Sequence, residues 1–157
     1  MSVDLYVLSD RRLVSLAEWQ QAVDGERPEL VLPADTSIDE LDGFLPVRWN
    51  GMSTGFECSH VSARDVIKSS EVIDFGREWA HALAFYTQGF EELLVAYIAA
   101  AAYAKATGGV VFDPQQTLVM SPPRAFEMAG QTERDIPKAK EALEAMGREL
   151  RRKHSST

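Results

Sequence analysis

Cys58 and His60 place the two most reactive groups of the chain, a thiol and an imidazole, two residues apart. On an extended strand that spacing puts both side chains on one face, where an imidazole can activate a thiol. A working nucleophile also needs an orienting acid and an oxyanion site, and neither can be identified near this pair. A single cysteine on an apolar strand is more often inert packing, which is the preferred reading. His60, His81 and Cys58 lack zinc-type spacing, and His154 lies far away near the C-terminus. His81 reads as a core histidine with a satisfied ring. Glu91, Glu92 and Asp113 offer carboxylates for acid–base work. Their positions have a plainer explanation: acids in the first turn of a helix, and an Asp-Pro turn after a strand. Gly108-Gly109 follows a helix and precedes a strand, the reverse of a phosphate-binding loop. The sequence therefore supplies no catalytic residue, metal site or cofactor site.

The strongest signal is electrostatic. Asp24 to Asp42 contains seven acids and one base, a net charge of −6 in a chain whose total is −8. Such a field repels nucleic acid and anionic membrane and attracts basic protein surfaces. Asp35, Asp39, Glu40 and Asp42 are the candidate partner-binding acids. Arg48 and Trp49 follow and could complete a mixed docking patch, since interface hot spots favour both residue types. Core burial is the equal alternative for Trp49. Residues 1–100 carry a net charge of −10 and residues 101–157 a net charge of +2. The late basic cluster, Arg148, Arg151, Arg152 and Lys153, reads as cations at a helix C-terminus rather than as a nucleic-acid site.

A length of 157 residues with 45% apolar and 25% charged residues suits one domain with one core. One cysteine cannot form an internal disulfide, which fits a reducing compartment. The start MSVDLYVLSD has no basic leader before an apolar stretch, so a cytoplasmic location is expected. The longest apolar run, Leu93 to Ala104, has 12 residues, against roughly 20 needed to span a bilayer.

These side chains must be positioned by alternating short strands and helices. Val3 to Leu8 alternates as a strand with Val3, Leu5 and Val7 on one face. Ser15 to Glu18 is a capping box opening a helix to about Asp24, with Leu16, Trp19 and Val23 inward. Leu30 to Leu32 forms a short strand. Phe44 to Trp49 forms another, at an edge or irregular because Pro46 lacks a donor. Asn50-Gly51 turns the chain into a returning strand, Met52 to His60. Ser62 caps a short helix, Val61 to Ile67. Phe75 to Tyr86 reads as one long strand, with Trp79, His81, Leu83 and Phe85 on one face. Its small-residue face is expected under a helix. Gln88 to Thr107 is a helix ended by Gly108, followed by a strand at 110–112. Two further helices are expected, Ser121 to Met128 and Ile136 to Lys153. The architecture predicted is a single α+β domain over 1–157: a mainly antiparallel sheet covered by a layer of helices, with 121–157 as a helical C-terminal appendage.

The stretch Trp79 to Pro114, WAHALAFYTQGFEELLVAYIAAAAYAKATGGVVFDP, resembles small bacterial immunity proteins of polymorphic and type VI secretion toxins. The shared pattern is a strand, an acidic-start alanine-rich helix, then Ala-Lys-x-Thr-Gly-Gly and a strand ending Asp-Pro. The resemblance covers about a quarter of the chain and implies a scaffold, not a catalytic site. It implies a non-enzymatic cytoplasmic antitoxin that binds a cognate toxin with a basic active-site surface and blocks it. No nucleic acid, membrane or cofactor is expected as a partner. The alternatives are a small enzyme using Cys58/His60 or Glu91/Glu92, and an acidic adaptor or structural subunit.

Overall fold

A computed structural model describes residues 2–155 of the chain. The elements are β1 (Ser2–Ser9), α1 (Leu16–Asp24), β2 (Leu30–Val31), a 3-10 turn (Ile38–Glu40), β3 (Asp42–Trp49), β4 (Met52–Val61), α2 (Ala63–Lys68), β5 (His81–Gln88), α3 (Phe90–Thr107), β6 (Val110–Asp113), β7 (Leu118–Met120) and α4 (Pro122–Ser155). The strands form one sheet in the order β2-β3-β4-β5-β1-β6-β7, with every neighbouring pair antiparallel. The architecture is the α+β arrangement expected from the sequence.

Local chemistry fixes the register. Asn50 and Gly51 adopt φ of 50° and 78°, the left-handed pair of a type I′ turn, and join the facing residues Trp49 and Met52. Pro46 faces Gly55 on β4. β2 pairs with β3 only at Trp49 and Arg48, so Pro46 sits where the outer edge of β3 carries no ladder. β3 is thus not outermost in the sheet, yet its proline lies on an unpaired edge. Ser15 and Ser62 cap α1 and α2, each hydroxyl accepting from the N–H three residues on.

The inner face of the sheet carries Leu5, Val7, Phe56, Cys58, Leu83, Phe85 and Val111, all buried. α3 lies across them, with every residue from Leu94 to Ala104 buried. Its alanines let neighbouring elements approach closely. The Trp19 indole N–H of α1 donates to the Ala99 carbonyl at 2.9 Å, and its ring meets Phe85 and Tyr103 edge-on. On the outer face, Ala63 and Val66 of α2 and Phe75 of the 69–80 segment form a cluster with Leu8, Ala82 and Phe112, and Tyr6, Val110 and Val119 pack against its edge.

Three expectations are corrected. Residues 75–80 are not strand, because β5 begins at His81. Phe75 stacks edge-on against Phe112, and Trp79 donates its indole N–H to the Phe75 carbonyl at 2.8 Å. Trp79 therefore packs on the outer cluster, while Leu83 and Phe85 face α3. The long helix covers the large-residue face of β5, not its alanine face. The two C-terminal helices are one continuous helix, α4. Ala125 and Ala129 bury against the core, and Arg27 pairs with Glu133 at 3.0 Å, so the segment between the expected helices is held in place. This packing carries the helix through Pro137, which removes one internal donor. No helix among the described residues is long and apolar enough to cross a membrane.

Candidate functional site

Among the described residues, no helix lies above the half of the outer sheet face over β3, β4 and the near end of β5 and β1. Strand register assembles a cross-strand row there. Phe44 on β3 faces Glu57 on β4, Glu57 faces Tyr86 on β5, and Tyr86 faces Asp4 on β1. Ring and carboxylate thus alternate across four strands. The adjacent row contains Asp42, Ser59, Ala84 and Tyr6 by the same pairings. Phe44 is 59% exposed, and its ring lies over Gly55, where an added Cβ would collide with the ring and the Leu45 carbonyl. Partial burial raises the Asp4 carboxyl above its ordinary value. Tyr86 is also raised, first by burial and then by the charges of Asp4 and Glu57. The face combines rings with a negative field, which suits Arg and Lys side chains through ion pairing and cation–π contact.

The acidic tract joins this face at Asp42. Ile38 is buried and anchors the 3-10 turn, and its carbonyl lies 2.9 Å from the His60 ring nitrogen Nε2. Asp35, Asp39, Glu40 and Asp42 are exposed around it. Among the described residues, none of these four has a cation within ion-pair distance. The Ser59 hydroxyl donates to Asp42 at 3.3 Å. The earlier acids of the segment are compensated: Glu26 pairs with Lys105 at 2.7 Å and Glu29 with Arg27 at 3.1 Å.

Arg48 and Trp49 point to opposite sides of β3, as successive strand residues must. Arg48 is exposed on the outer face with Asp42 and Phe44. Trp49 is half-buried against the inner core, with the Arg27 guanidinium 5.0 Å above its ring. The two therefore do not form a shared patch.

The reactive candidates are tied up. Cys58 is fully buried, and burial pushes its thiol far above the ordinary range. Glu91 pairs with Lys140, and Glu92 accepts from the Gln88 N–H at 2.9 Å. Asp113, buried, accepts from the Tyr97 hydroxyl and from the N–H groups of Gln115 and Gln116. Each of these groups has a structural partner or is sealed from solvent.

Asp42 was apparent as a candidate from the sequence, whereas Asp4, Tyr6, Phe44, Glu57 and Tyr86 were not. Alternation in β1 did put Asp4 and Tyr6 opposite Val3, Leu5 and Val7. Alternation alone cannot say which strands are neighbours, and the row exists only through that pairing. No protein-family model, curated protein or solved structure matches the chain.

Proposed function

We propose that the protein is an immunity protein that binds a cognate bacterial toxin domain in the cytoplasm and blocks its active site. The observation that carries this reading is the outward row Phe44–Glu57–Tyr86–Asp4, continuous at Asp42 with Asp35, Asp39 and Glu40, which among the described residues have no cation at ion-pair distance. A toxin that acts on nucleotides or nucleic acid has a basic site. A surface of rings and carboxylates, with Phe44 and Glu57 exposed and Tyr86 and Asp4 half-buried, matches it in charge, and charge complementarity speeds encounter and rejects wrong partners. The rings supply anchors of the kind that dominate interface energetics. The likeness of residues 79–114 to immunity proteins agrees in kind. An acidic adaptor would share this chemistry, and growth separates the two readings. Co-expression with the product of the adjacent gene should relieve growth arrest caused by that product. Replacing Phe44 and Tyr86 with Ala, and Glu57 with Gln, should abolish relief while circular dichroism stays unchanged. A harmless neighbouring product, or full protection by the folded variant, overturns the proposal.

A further inference from the structure

The C-terminal part of α4 carries an apolar seam that starts on the core at Ile136 and runs out to exposed residues at Leu143, Met146 and Leu150. Ile136, Ala139, Leu143, Met146 and Leu150 succeed one another at steps of three, four, three and four residues. That is the a/d spacing of a two-helix seam. The helix is anchored at its start, where Ala125 and Ala129 are fully buried and Ile136 packs against the core. Lys140 meets Glu91 in the first turn of α3, so α4 then runs past the end of the helix that supports it. Beyond that point Leu143, Met146 and Leu150 are 57%, 61% and 56% exposed. An amphipathic helix normally covers such a stripe.

We infer that this overhang pairs with the same overhang of a second copy, antiparallel, to form a symmetric dimer. The seam is self-complementary in that direction. Leu143 falls opposite Met146 of the second copy, and Ala139 opposite its Leu150, so a pair of large residues at the centre is flanked by small–large pairs. Ala142 and Gly147 flank the seam and let the two backbones approach closely. Charge selects the direction. Residues 136–157 hold six bases and three acids, net +3, whereas residues 1–135 are net −11. Antiparallel pairing brings each basic end toward the acidic body of the other copy and opposes the two helix dipoles, whereas parallel pairing sets like charge beside like. One surface used twice closes the assembly at two copies.

Light scattering on the full chain at about 1 to about 200 µM tests the pairing, because dimerisation follows mass action. The mass should rise from 17.4 kDa toward twice that value. The Leu143→Glu/Leu150→Glu variant should stay at the lower mass with unchanged circular dichroism, since both positions are exposed. A wild-type chain that stays at the lower mass throughout, or a variant that associates equally, overturns the inference. Direction is read from disulfides, and the native Cys58 is buried and does not compete. Leu150→Cys should cross-link on mixing with Ala139→Cys but not with itself. Self-linkage of Leu150→Cys would overturn the antiparallel arrangement.

Discussion

Glu57 and Tyr86 are register partners across β4 and β5, and both face outward, where Tyr86 also stands opposite Asp4. The tyrosine ring is therefore bracketed by two carboxylates on neighbouring strands. Cross-strand neighbours of this kind lie close enough to act on one ligand group together. A guanidinium placed over Tyr86 would meet a ring face and two acids at once.

The same face separates fold from function at Phe44 and Gly55. A Cβ at position 55 would run into the Leu45 carbonyl oxygen, which belongs to the adjoining strand backbone. Gly55→Ala should cost about 1–3 kcal/mol, the usual range for overpacking. Phe44 is mostly exposed, so Phe44→Ala should cost no more than about 1 kcal/mol. Urea unfolding of both variants checks the order, and partner binding should fail in Phe44→Ala.

Cys58 should behave as packing. Its thiol should remain unreactive toward a disulfide reagent until the chain unfolds, because only the thiolate attacks and burial suppresses it. Cys58→Ala should cost on the order of 1 kcal/mol and leave protection intact. Loss of protection by a folded Cys58→Ala variant would reopen the enzymatic alternative.

The central helix should be intolerant of truncation. Leu94 is 2% exposed on α3 against the inner sheet face. Leu94→Ala should cost roughly 2–5 kcal/mol, read as a fall in melting temperature. A negligible shift would show that α3 is peripheral to the core.

Signals carried by a few adjacent residues were legible in the sequence. Asn50-Gly51 announced its hairpin, Ser15 and Ser62 their helices, and Gly108 the end of α3. Signals that depend on distant contacts were not. Phe75 and Trp79 alternate like strand residues, but they are there to cover Phe112, and nothing local distinguishes the two roles. The polar run between Met128 and Ile136 looks like a break until Arg27 supplies a partner for Glu133. Asp42 was visible as one acid among many. The row Phe44, Glu57, Tyr86 and Asp4 beside it comes from four strands spread over residues 4–86.

Protonation should weaken partner binding early. Burial raises the Asp4 carboxyl in the free protein above its ordinary 3.8, so it becomes neutral sooner than a fully solvated aspartate would as pH falls. A cationic partner prefers the ionised form, so affinity should drop as pH falls through that raised value. Asp4→Asn should remove this first part of the loss. Stability runs the other way: ionised Asp4 costs folding free energy above its raised pKa, and the cost disappears below the ordinary value. Glu91 has the opposite sign. The hydrogen bond from Lys140 lowers it, so its contribution is present above 4.5 and is lost as pH falls through the lowered value. Both partners are about half exposed, so that contribution should stay under about 1 kcal/mol. Affinity and unfolding measured against pH for wild type, Asp4→Asn and Glu91→Gln check these signs.

Association kinetics with the purified product of the adjacent gene test the docking account most directly. The wild-type rate should fall steeply as salt is added, because steering by exposed charge is screened. Replacing Asp4, Asp42 and Glu57, or Asp35, Asp39, Glu40 and Asp42, with the corresponding amides should slow association by about tenfold or more at low salt and flatten the salt response. The fold should survive both changes. Wild-type and variant rates that coincide at low ionic strength, with equal salt dependence, would contradict the assignment of this face and tract as the toxin-binding surface.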